Sequence, residues 1–176
     1  MATAKPFVMG IGGGSGSGKS TIVKEILKQL VTEKVSVIQH DSYYKNRPEL
    51  SFEERTKINF DHPDSLETNL LVEHLNLLIS GKNVEIPVFH HFTKYLRDSS
   101  TKKVESRPIL IVEGILVLND KELRDLMNLK VFIDVPPDLR FIRRLKRDLS
   151  EHGRSVESVT KQYLATIRTM HEEYVE

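Results

Sequence analysis

The stretch Met9–Thr21, MGIGGGSGSGKST, decides how the rest of the chain is read. Its glycines and serines would suit a flexible spacer. Its neighbours argue otherwise. Phe7–Ile11 is a short apolar run of the kind that forms a buried strand, and Thr21–Val31 places Ile22, Ile26, Leu27 and Leu30 on one helical face. Between a strand and a helix, Gly13-x-x-x-x-Gly18-Lys19-Ser20 is a phosphate-binding loop. Its glycines let successive backbone N–H groups turn inward, and the helix N-terminus adds its positive end. Gly13, Gly14, Ser15, Gly16, Ser17, Gly18, Lys19, Ser20 and Thr21 are therefore expected around the phosphates of a nucleotide. Lys19 would reach the β- and γ-phosphates, and the Ser20 hydroxyl would ligate Mg²⁺.

Outward from the loop, further apolar, β-branched runs occur at Val35–Ile38, Ile109–Val117 and Leu129–Val135. Continuous runs of this kind fit strands buried on both faces. Helical patterns lie between and after them. Ser65–Ile79 aligns Leu66, Leu70, Leu71, Leu75 and Leu78; Pro137 opens Asp138–Leu149; Ser155–Tyr174 spaces Val156, Val159, Tyr163, Ile167, Met170 and Tyr174 by three or four. Strands alternating with helices predict an α/β fold, a three-layer sandwich around a parallel sheet. Asp41–Asp64 and Val84–Glu105 interrupt the alternation and are long enough to be binding loops, the second reading as two short strands.

The 176 residues suit one domain with a substantial core. Lys and Arg number 26 against 25 Asp and Glu, so no basic excess supports a nucleic-acid partner. The absence of cysteine rules out disulfides and thiolate metal sites. No apolar run approaches a membrane span, and Met1–Gly10 lacks a signal-peptide core, so a cytoplasmic protein without a membrane partner is expected.

A phosphate loop alone leaves a switch GTPase, a motor or transport ATPase, and a small-molecule kinase open. No guanine-reading Asn-Lys-x-Asp segment occurs. Glu113 is a lone charge inside the Ile109–Val117 run, which makes it the candidate second metal partner. Asp41 ends the second strand pattern, at the edge where α/β sheets place ligands, and could take a hydroxyl proton or sit by the metal. Arg140, Arg143, Arg144, Lys146, Arg147 and Arg154 crowd one helix and its exit, as a lid over phosphates would. Arg144 and Lys146 read as its solvated face, and Arg143 and Arg147 as its working residues.

Five segments, QHDSYYK (39–45), NFDHPDS (59–65), EGILVL (113–118), RRLKRDLSEHGRS (143–155) and QYLATIRTMHEEYVE (162–176), together resemble the uridine kinase family in family order. The resemblance implies a single P-loop kinase domain over 1–176, with a nucleoside-binding hairpin at 84–105 and a lid at 138–155. It also implies transfer of the γ-phosphoryl group of ATP (or GTP) to the 5′-hydroxyl of uridine or cytidine, with Mg²⁺, in pyrimidine salvage, by a homotetramer or homodimer. Position by position, Asp41 matches the general base, and Asp61 the carboxylate on the ribose hydroxyls. Phe60 matches an aromatic near the base, Ser20 and Glu113 the metal partners, with Asp41 beside them. Arg143 and Arg147 match lid arginines; Arg140, Gln162, Arg168 and Tyr43 fall on the acceptor side.

The family's base-reading segment is rewritten here as PVFHHFTKYLRD (87–98). Holding Arg97 on the family arginine inserts one residue near His90-His91, puts Phe89 in place of a tyrosine, keeps an aromatic at Phe92 and puts Tyr95 in place of a histidine. Altered pyrimidine selectivity is expected. Two readings stand beside it: a kinase of another small alcohol or nucleoside such as nicotinamide riboside, and a nucleotide-binding regulatory protein of weak activity. The family's final strand and helix have no counterpart before Glu176.

Overall fold

The computed structural model describes residues 5–91 and 93–175. Four parallel strands form the central sheet in the order β2-β5-β1-β6: β1 is Phe7–Gly12, β2 Val35–Gln39, β5 Ile109–Glu113 and β6 Leu129–Phe132. Alternation along β5 serves two faces. Leu110 and Val112 join Val8 and Ile38 in a core covered by Leu71, Leu75 and Leu78 of α3, Thr68–Ile79. Ile111 joins Ile11 and Val35 on the other face, under α1, Lys19–Gln29. Helix, sheet and helix make the three layers expected from the sequence.

Several boundaries differ. The strand expected over Ile109–Val117 ends at Glu113, because Gly114 turns against the His40 side chain, so that an added Cβ would lie 2.6 Å from it. On α1 the buried residue is Val23, and Ile22 faces outward. Pro137 opens α5 (Pro137–Glu151) as expected. The last helical pattern is one run in three parts: α6 (Val156–Gln162), a π-helical turn (Tyr163–Ile167) and α7 (Arg168–Tyr174). Ser155 caps it by accepting from the Ser158 N–H.

The two interruptions carry their own structure. The first contains the short helix α2, Phe52–Thr56, behind a capping box at Ser51. The second is an antiparallel hairpin, β3 (Val84–His90) with β4 (Leu96–Val104). Its register shifts between Pro87 and Phe89, so Asp98–Ser100 bulge opposite Val88. Asp98 fills the bulge, accepting from the Ser100 N–H at 2.9 Å and pairing with His90 Nε2 at 2.5 Å. Arg97 ties the hairpin to the loop after β2, donating to the Tyr44 and Tyr43 carbonyls and pairing with Glu67 at 2.7 Å. A short α4, Lys121–Asp125, completes the helices.

Candidate active site

At the carboxyl ends of β1, β2 and β5, a cleft of about 2000 Å³ runs from the glycine-rich loop to the hairpin. Parallel strands concentrate their exits at one edge, so residues far apart in sequence meet there. Ser15, Gly16, Gly18, Lys19, Ser20 and Thr21 line one end. The backbone explains two of the glycines. Gly18 caps α1 in the left-handed region (φ 93°), and Gly16 (φ 81°) passes so near the Arg140 carbonyl that a Cβ would lie 2.3 Å from it. Lys19 Nζ donates to the Gly13 and Gly14 carbonyls at 2.8 and 3.1 Å. Burial lowers its pKa to about 8, against the pull of Asp41 and Glu113.

Ser20 and Glu113 meet: the hydroxyl donates to the carboxylate at 3.1 and 3.3 Å. Gln39, in register with Glu113 across β2 and β5, donates to the same carboxylate at 3.1 Å. These are hard oxygen donors of the kind Mg²⁺ takes. Among the described residues no cluster of three acidic, histidine or cysteine ligands exists. His90 serves Asp98, while the His91 ring packs edge-on against Tyr44 and Phe89 and bonds to the Asp41 backbone.

Asp41 follows β2 in a 3-10 turn, His40–Tyr43, which aims it into the cleft. The residue is half-buried, and its enclosed Oδ1 has no hydrogen-bond partner among the described residues. Burial raises its pKa above the ordinary carboxylate value, Glu113 adds to the rise, and Lys19 opposes it. Asp61 lies farther along, also raised by burial, with the nearby Arg144 pulling it back down. Beyond it, Phe60, Tyr44, Phe89, His91 and Tyr95 form an aromatic end.

Other candidates fall elsewhere. Tyr43 is a core residue whose hydroxyl meets His74 at 2.9 Å; its neighbour Tyr44 faces the cleft. Arg140 lies behind the phosphate loop, donating to the Val135 carbonyl and pressing against Gly14, and it does not line the cleft. Arg168 is exposed, paired with Glu172 at 3.1 Å and outside the cleft. Phe92 lies outside the described residues. Arg143, Arg147 and Gln162 do line it.

The solvated reading of Arg144 is corrected outright. It is buried, donates to Ser15 Oγ at 2.8 Å and to Gln162 at 3.3 Å, and lies beside Asp148. Asp148 has no exposed surface and holds Arg147 at 2.9 Å and Arg154 at 3.1 Å. Arg154 also donates to Gln162 at 2.6 Å. Sequence reasoning missed Asp148, Gln39, Tyr44 and His171, which packs under Gly14. Only Asp148 carried a signal: an acid four residues after Arg144 in an arginine-rich helix.

An anion nest, a serine–glutamate pair and an enclosed aspartate in one cleft of a three-layer α/β domain define a P-loop phosphotransferase. The model of the phosphoribulokinase / uridine kinase family matches residues 8–176, and the chain belongs to that family. It is 49% identical over 171 residues to the uridine kinase of Chloroflexus aurantiacus, covering 97% of this chain and 81% of that protein. To the uridine kinase of Streptococcus thermophilus it is 46% identical over 172 residues, covering 98% and 81%. Phosphoribulokinase from Rhodobacter spheroides shares the fold: TM-score 0.70 at 15% identity, over 98% of this chain and 66% of that one. The chain is an enzyme that transfers a phosphoryl group, with ATP as the family's donor. No helix among the described residues is long and apolar enough to cross a membrane.

Proposed function

We propose that the chain phosphorylates the 5′-hydroxyl of a pyrimidine ribonucleoside, uridine or cytidine, from ATP. The observation that carries this reading is the order of groups along one cleft: anion nest, the Asp41 carboxyl with its unpartnered Oδ1, Asp61 beside Arg144, then an aromatic end. That order matches phosphate, reacting hydroxyl, ribose diol and base. Relatives named uridine kinase, at 46% and 49% identity, support the same assignment.

In this reading the loop N–H groups and Lys19 hold the β- and γ-phosphates. Asp41 accepts the proton of the 5′-hydroxyl; its raised pKa makes it a stronger base than an ordinary aspartate. Asp61 accepts from the ribose hydroxyls, and Arg144 donates to them, a role that moves from Arg140 to Arg144 on position alone. Phe60 and Phe89 offer apolar faces to the base. Arg143 and Arg147 reach the transferring group from the lid, residues 138–155, of a single kinase domain that also carries the hairpin 84–105. Mg²⁺ would be held by Ser20 and Glu113, with Asp41 beside them, and when bound neutralises charge on the phosphate oxygens.

ATP-dependent phosphorylation across a panel of nucleosides, sugars and vitamin-like alcohols tests the assignment. Turnover of uridine or cytidine above all others is expected; turnover of only a non-nucleoside alcohol, or ATP binding with no acceptor turned over, overturns it. In the same assay, Glu113→Gln is expected to raise the Mg²⁺ concentration for half-maximal rate by about tenfold or more. The near-isosteric amide should leave the melting temperature within a few degrees, which separates lost metal affinity from lost fold.

A further inference from the structure

Asp61 takes its place in the cleft from a loop, residues 59–65, that is held from two directions. From the turn after β2, the Tyr44 hydroxyl donates to the Phe60 carbonyl at 2.9 Å; within the loop, the Asp61 N–H donates to the Asn59 side chain at 3.1 Å. The second hold comes from the far end of the chain. Tyr174, the final residue of α7, meets the ring of His62, the neighbour of Asp61. Its hydroxyl lies 3.0 Å from Nε2, and the two rings stand edge to face with centroids 4.9 Å apart. Neither His62 nor Tyr174 lines the cleft, whereas Phe60 and Asp61 both do.

Both ring nitrogens of His62 are engaged. Nδ1 accepts from the Asp64 N–H at 3.1 Å and so caps the turn Pro63–Ser65. In the neutral ring that bond puts the proton on Nε2, which therefore donates to the Tyr174 oxygen. Tyr174 is fixed in turn. Its carbonyl accepts from Asn119 Nδ2 at 3.1 Å, and with Val175 it packs into the apolar cluster of Leu66, Leu116 and Phe60. Three residues earlier, on the same face of α7, His171 stands so close to Gly14 that an added Cβ would lie 2.8 Å from its ring. One short helix thus touches the loop that holds phosphate and the loop that carries Asp61.

We propose that Tyr174 and His62 are a positioning pair for the acceptor: through them α7 sets the place of Asp61 relative to the phosphate loop. The proposal rests on the reading of Asp61 as the group that grips the acceptor, and it adds the residues that hold Asp61 in register. Neither residue touches substrate. Loss of their bond lets the loop 59–65 relax and loosens the grip on the acceptor. The phosphate loop, still backed by His171, binds ATP as before.

Steady-state kinetics of Tyr174→Phe test it, with the acceptor that wild type turns over fastest. Phenylalanine keeps the ring in its cluster and removes the hydroxyl. The acceptor KM is expected to rise roughly threefold to tenfold, the factor that one net hydrogen bond represents, with kcat and the ATP KM within about twofold of wild type. In His62→Asn the amide oxygen still reaches the Asp64 N–H, but the side chain stops short of Tyr174. It should give the same rise, and the double variant no more than either single one. An acceptor KM that stays at the wild-type value, an ATP KM that rises in parallel, or penalties that multiply in the double variant would each overturn the pair. A non-nucleoside acceptor would sink the substrate reading and leave this comparison intact. A further measurement needs no acceptor: the imidazole nitrogen resonances of His62, identified through their loss in His62→Asn. Nε2 should carry the proton and its resonance should move in Tyr174→Phe; a neutral ring protonated on Nδ1, or an unmoved resonance, overturns the proposal.

Discussion

Asparagine in place of Asp41 is expected to cut kcat by about a hundredfold or more, with nucleoside and ATP KM values changing little. The substitution keeps the size of the side chain and removes only its capacity to take a proton. Stability should hold or rise slightly, for a reason that follows from the sign of the pKa shift. The carboxyl titrates above its ordinary value in the fold because it is buried. The folded chain therefore binds the proton more tightly than the unfolded one, and stability falls as pH rises from the ordinary carboxylate value through the raised one. Once ionised, the group costs stability that an amide does not. The acidic limb of the pH–rate profile should likewise lie above the ordinary carboxylate range in wild type and be absent from the residual rate of the variant. A variant that keeps more than a tenth of the rate removes Asp41 from the base role.

Asp148→Ala is expected to lower the melting temperature by about 6–12 °C and to abolish measurable turnover. The carboxylate is fully enclosed, and three arginines converge on it: Arg144, Arg147 and Arg154. Removing one partner of a buried ionic cluster leaves uncompensated charge and typically costs about 3–5 kcal/mol. Arg147 is partly exposed, which places the loss toward the lower end of that range. Arg144 would lose its support while still facing Ser15 of the phosphate loop. Asp148→Glu should recover part of the stability and less of the activity, because a carboxylate one methylene farther out keeps the charge and shifts the arginines. Equal recovery of both would reduce Asp148 to a purely structural group. Calorimetry and turnover on the same preparations give the comparison.

The parts of the molecule legible in sequence are those where a local pattern has one physical solution. A β-branched run, a glycine nest and an amphipathic helix in succession fold one way, and Lys19 and Ser20 take their positions from it. Glu113 was legible because a charge in an apolar run needs a partner, and Ser20 is there at 3.1 Å. Tyr43 and Tyr44 were not separable. A 3-10 turn carries the chain through this point, so neither strand nor helix periodicity says which ring faces the cleft. Arg144 turns inward for a related reason: the buried face of α5 is set by α6 folding back with Gln162, a long-range contact invisible within the helix itself. Gln39 acquires its place only once β2 and β5 pair in register.

His171 lies so close beneath Gly14 that a methyl group at position 14 would strike its ring at 2.8 Å. The phosphate loop is thus backed by a residue translated 157 positions after Gly14 (171 − 14). A nascent chain carries the whole glycine motif long before it carries the helix that supports it. A nascent chain that has not yet reached His171 therefore carries a recognisable motif without the ring that backs it.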